Sequence, residues 1–172
     1  DTPYGIKKNA VSFSWVDSIN NEMSEQVGYR IVITKRVKDI KQETYVYDSD
    51  WINSSENSSQ LYDLSRHLDD NELYYWQVQI KDVRGKESSF SEAQAFSTAV
   101  GNDWTSTQGS WNGSQKVTFF RTEFKKKEDI EKAILSVSAT STESSRQYVY
   151  NMYVNGTEIG VGPARQNGSE LY

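Results

Sequence analysis

Apolar and polar residues alternate along much of this chain with the two-residue period of strands that bury one face. Val11, Phe13 and Trp15 alternate with Ser12 and Ser14, and Tyr29, Ile31 and Ile33 alternate with Arg30 and Val32. The clearest run is Tyr74, Trp76, Val78 and Ile80 against Tyr75, Gln77, Gln79 and Lys81. Each pattern predicts a half-buried strand, with Phe13, Trp15, Tyr29, Tyr74 and Trp76 in the core and Tyr75 facing outward. Thr44 to Tyr47 and Leu61 to Leu64 read as short strands, whereas Asp17 to Gln26 reads as a loop and Asp48 to Gln60 as a long loop or ragged edge. Asp69, Asp70 and Asn71 mark a turn. Asp82 to Gly85 supplies a hairpin turn, after which Glu87 to Thr98 returns along the sheet with Phe90, Ala95 and Phe96.

Alternation lapses between Thr98 and Asp103, which sets a domain boundary: residues 1–98 form one β-sandwich and residues 103–172 a second β-domain. In the second half, Val117 to Phe124 and Ile134 to Thr140 are strand-like. Tyr148, Tyr150, Met152 and Val154 alternate into Asn155-Gly156, a strong two-residue hairpin signal. The chain is therefore predicted to be all-β, a sandwich followed by a second β-domain.

Composition sharpens this picture. Hydrophobic residues make up 35% of the 172, but five Trp, eleven Tyr and six Phe supply the core with a few large rings, a profile that favours strands. A net charge of -5 without a basic stripe argues against nucleic-acid partners, and no apolar run is long enough to span a bilayer. With no Cys and a single His, disulfides, thiolate sites and paired-imidazole metal sites are excluded, and no cofactor is expected. No signal peptide is visible, and the compartment, cytoplasmic or secreted, is left unassigned.

Few residues offer chemistry. His67 sits in a loop-like setting without a nucleophile pattern, and Asp48 with Asp50, like Asp69 with Asp70, lie where turns use carboxylates for local hydrogen bonds. Five Asn-x-Ser/Thr triplets read as turn and surface composition. Trp51, Trp104 and Trp111 stand in polar, loop-like surroundings. Each is either a platform on which a sugar ring stacks or a cap on the open end of a sandwich. Tyr75, Tyr148 and Tyr150 share that ambiguity.

The first half resembles a fibronectin type III domain: VSFSW at Val11 to Trp15 looks like strand B, and YRIVI at Tyr29 to Ile33 looks like strand C. Leu68 followed by Tyr74, Trp76 and Val78 matches the loop and strand of a tyrosine corner. Two prolines are fewer than such domains usually carry, so the turns must be built differently.

Both halves together are similar to the N-terminal region of bacterial α-L-rhamnosidases. Trp76, Asp82, Gly85 and Ser89 with Phe90 match its fibronectin-like part, although Trp often stands where Phe90 does. Phe120, Arg121, Phe124, Asn155, Gly156 and Gly160 match the jelly-roll part. The resemblance implies a hydrolase that releases terminal rhamnose, with its carbohydrate substrate bound by the parent protein. It also implies a catalytic α/α-toroid absent from this chain and no catalytic residues within it. An incomplete second sandwich would leave edges open, so a dimer of the fragment by edge pairing is expected. The alternative is a non-catalytic carbohydrate-binding or adhesion module of fibronectin type III type.

Overall fold

The computed structural model describes residues 2–16, 25–101, 117, 119–125, 133–137 and 149–162. The chain divides into two compact units, Asp1–Thr118 and Phe119–Tyr172. The first unit contains β1 (Val11–Phe13), β2 (Gln26–Thr34), a single-turn α1 (Val37–Lys41), β3 (Tyr47–Asp48), β4 (Ile52–Asn53), β5 (Gln60–Tyr62), β6 (Leu73–Asp82) and β7 (Gln94–Ser97). One sheet is the antiparallel pair β1-β5. The other runs β3-β2-β6-β7, with β4 also pairing β2. The chain thus passes from the small sheet to the large one, back at β5, and again at β6. This antiparallel crossover order makes an all-β, immunoglobulin-like sandwich.

The core is the ring-rich one that alternation predicts. Val11 and Phe13 of β1, with Leu64 and Leu68, face Tyr29, Ile31 and Ile33 of β2, Tyr74 and Val78 of β6, and Phe96 of β7. Trp15 and Trp76 are partly buried against this cluster. Trp15 lies just beyond β1, and its indole N–H donates to Gln26 Oε1 at 3.0 Å. Gln26 is therefore no loop residue: it opens β2, is buried, and donates its own amide N–H to the carbonyls of Ser54 and Glu56, each at 3.2 Å. An isolated indole N–H in a core would cost desolvation energy, and this amide relay removes the cost.

Leu68 and Tyr74 form the corner that their spacing predicts. The Asp69 backbone N–H donates to the Tyr74 hydroxyl at 2.7 Å, and the Tyr74 side chain is wholly buried. Burial raises the hydroxyl's pKa, so it stays protonated. Tyr74→Phe leaves the packing intact but strands this N–H. A loss of about 1 kcal/mol is expected, read as a lower urea midpoint at unchanged slope.

Two assignments are corrected. Tyr75 is buried, together with Val32, Thr34, Gln77, Ala95 and Ser97, so the large sheet is covered on both faces over this stretch. Antiparallel sheets commonly leave one face in solvent, and the alternation of Tyr75 with Tyr74 and Trp76 carries no sign of a second cover. Phe90 does not lie along the sheet core. Between Glu87 and Ser91 the chain runs beside β6, but the Ser88 and Ser91 hydroxyls accept the N–H groups of Ile80 and Val78, at 3.0 and 3.1 Å. Side-chain oxygens replace ladder carbonyls there, so β7 begins only at Gln94 and Phe90 joins the outer face.

The outer edge of β7 is closed by the chain's start: Ser97 N–H donates to the Pro3 carbonyl at 3.0 Å, and Ile6 N–H donates to the Ser97 carbonyl at 2.9 Å. Pairing of this kind removes an aggregation-prone edge.

In the second unit the hairpin is formed by β8 (Tyr150–Val154) and β9 (Thr157–Gly162). Asn155 and Gly156 have φ of 49° and 81°, the pair of positive values that a two-residue hairpin turn of matching twist requires. Tyr150 lies over Gly162 so closely that a Cβ there would collide with its hydroxyl oxygen. The other expected strands of this half do not form among the described residues: 119–125 and 133–137 are irregular, with Phe119, Phe120, Phe124 and Leu135 exposed. Alternation supplies a face to bury, but a strand also needs a neighbour to take its backbone hydrogen bonds.

Candidate functional site

The candidate surface is the outer face of the large sheet, where register places one row of residues across four chain segments. Gly28 of β2 pairs with Asn53 of β4 on one side and Lys81 of β6 on the other, and Lys81 bridges to Glu87. Two irregularities frame the row. The ladder slips between Gln26 and Gly28, and Asp50 has a φ of 52° just before Trp51. Bulges and left-handed residues of this kind re-aim side chains.

Trp51 is half-buried on this row. Its ring packs beside Gly28, where an added Cβ would lie 3.2 Å from the Ile52 carbonyl oxygen and 3.9 Å from Trp51 Cε3. The Lys81 ammonium sits 4.2 Å from the centre of the indole and is paired to Glu87 at 2.8 Å. Lys81 thus holds the ring by a cation–π contact while Glu87 fixes the ammonium.

One residue pair along β2, the Arg30 guanidinium lies over the rings of Tyr45 and Phe90, 5.9 and 5.8 Å from their centres. It donates Nε–H to Asp48 Oδ1 at 2.9 Å and Nη2–H to Asp48 Oδ2, a bidentate pair with planar complementarity. The Arg30 hydrogen bonds hold the Asp48 carboxyl below the usual carboxylate range. A carboxyl with a depressed folded-state pKa stabilises the fold above its ordinary value, about 4, and that contribution is lost as pH falls through the depressed value. Asp48→Asn is expected to flatten the acid limb of stability in this window, checked by thermal unfolding against pH.

Other sequence candidates are structural. Asp69 pairs with Lys35 at 2.6 Å, Asp70 pairs with Lys8 at 3.0 Å, and His67 lies edge-on to Tyr47, 5.1 Å between ring centres. Trp104 and Trp111 lie outside the described residues. No His, Cys, Asp or Glu group suited to a metal ion occurs among the described residues. Sequence reasoning missed the Arg30–Asp48 pair and its ring contacts, because register between strands brings Asp48 beside Val32 and Arg30 beside Gln79.

The fold is similar to solved α-L-rhamnosidases. One from Dictyoglumus thermophilum matches at 26% identity and a TM-score of 0.50, covering 58% of this chain and 11% of that one. One from Streptomyces avermitilis, solved with L-rhamnose, matches at 20% identity and a TM-score of 0.49, covering 57% and 9%. The matched region is thus a small part of either enzyme. No curated protein matches the chain. Residues 1–102 match the model of the Rha78A-like, N-terminal immunoglobulin domain, and the chain belongs to that family.

Proposed function

We propose that this chain is an accessory portion of a glycoside hydrolase that releases terminal α-L-rhamnose. In this reading residues 1–98 are a scaffold sandwich, residues 103–172 begin a jelly-roll-like domain, and the chemistry lies in parts of the protein outside this chain. The likeness to the Dictyoglumus thermophilum rhamnosidase, which covers 58% of this chain but only 11% of that enzyme, carries the reading.

Chemistry supports it. Glycoside hydrolysis by a carboxyl pair needs one acid whose pKa is raised, so that it is still protonated when it meets the leaving oxygen. Among the described residues, the Asp48, Asp63 and Asp69 carboxyls have their pKa lowered by hydrogen bonds, to Arg30, Ser65 and Lys35 respectively. They are held as anions, the opposite of what such an acid requires.

The gene tests this proposal. Reading on past the codon for Tyr172 is expected to give a long coding sequence with an amphipathic helical-hairpin pattern and clustered Asp and Glu. A stop codon directly after Tyr172 would overturn it.

A further inference from the structure

We infer that the row around Trp51 is a binding site for a neutral sugar ring. This goes beyond the scaffold role and does not depend on the identity of the parent enzyme. A pyranose presents an apolar C–H face and a rim of hydroxyls, so its receptor needs a flat aromatic surface flanked by groups that both donate and accept.

Trp51 supplies the surface, fixed from one side by Lys81 at 4.2 Å and seated beside Gly28, which has no side chain to crowd it. Trp51 is only partly buried, and the indole face away from Lys81 takes the sugar. Asn53 at the end of the row and Asp50, next to Trp51 in the chain, are both exposed. Together they offer an amide donor and acceptor and a carboxylate acceptor to the hydroxyl rim.

The charges choose the ligand class. Lys81 is paired with Glu87 and Arg30 with Asp48, so neither of these cations is left to attract an anion. Exposed Asp50 adds a further negative charge that repels one. A neutral ring is favoured over a uronate or a sugar phosphate. The backbone supports a built position: the ladder slip at Gln26–Gly28 and the positive φ of Asp50 both act on the two residues that meet at Trp51.

The 172-residue chain would be titrated with L-rhamnose, D-glucose and D-glucuronate and followed by two-dimensional NMR of indole and backbone N–H groups. The expected result is a saturable shift confined to the Trp51 indole and the amides of Gly28, Asn53 and Lys81, with Kd of about 1 mM for at least one neutral sugar. Trp51→Ala should abolish it. Trp51→Phe, which keeps a ring, should retain a weaker shift, and Asn53→Ala should weaken binding about three- to tenfold. An unchanged melting curve for Asn53→Ala keeps the test independent of folding. No shift at about ten times that concentration, shifts spread over the whole surface, or tighter binding of glucuronate would each overturn the inference. The downstream coding sequence is unaffected by any of these outcomes, so failure here is distinct from failure of the proposed function.

Discussion

Phe13→Ala is expected to destabilise the first unit by about 3–5 kcal/mol, a large part of the 5–15 kcal/mol of an ordinary domain. Phe13 is almost fully buried where the two sheets meet. Its ring centre is 4.7 Å from that of Trp76, 5.8 Å from Tyr62 and 6.1 Å from Phe96. Tyr62 is on β5 beside it, whereas Trp76 and Phe96 belong to the opposite sheet, so truncation opens a cavity between sheets that neither can fill alone. Edge-on and tilted ring contacts add to the loss of buried area. Phe13→Leu keeps most of the volume and should cost less than half as much. Leu61→Ala, on the neighbouring strand but 68% exposed, should stay within about 0.5 kcal/mol of the parent. Urea unfolding of the three variants measures the order, and comparable losses for Phe13 and Leu61 would contradict the core assignment.

Asp82→Ala is the second large effect, about 1.5–3 kcal/mol. The carboxylate is buried at the end of β6. Its Oδ1 accepts the backbone N–H groups of Arg84 and Lys86, each at 2.9 Å, and its Oδ2 accepts Arg84 Nε–H at 2.9 Å. It therefore organises the turn that Gly85 completes with a φ of 80°. The two backbone bonds and the ion pair can be separated, because the Arg84 side chain is 57% exposed and its ion pair is worth little in solvent. Arg84→Ala should accordingly cost under about 1 kcal/mol. If Arg84→Ala matched Asp82→Ala, the backbone role of the carboxylate would be wrong. Asp82→Asn keeps one acceptor and should fall between them.

The parts of the fold that were legible share one cause: a large ring on a two-residue period has only one place to go. Val11 and Phe13, Tyr29 to Ile33, and Tyr74 to Ile80 form strands as their alternation requires, and Leu68 with Tyr74 closes the corner. What failed depends on partners that local pattern does not encode. Tyr75 is buried because the second face of its sheet is covered. Phe90 faces outward because serine hydroxyls stand in for ladder carbonyls. Phe119, Phe120 and Phe124 remain exposed in irregular chain, and no strand among the described residues pairs with that segment.

The candidate site was legible only as a ring in a polar loop. That Lys81 meets Trp51 follows from the pairing of β2 with both β4 and β6, a register fixed by the core on the opposite face.

The direct test is hydrolysis of a chromogenic aryl α-L-rhamnoside by the purified 172-residue chain. No release above the rate in buffer is expected, because the proposed reading places the chemistry in parts of the protein outside this chain. Release that rises in proportion to chain concentration, and disappears when Phe13→Ala unfolds the first unit, would contradict it.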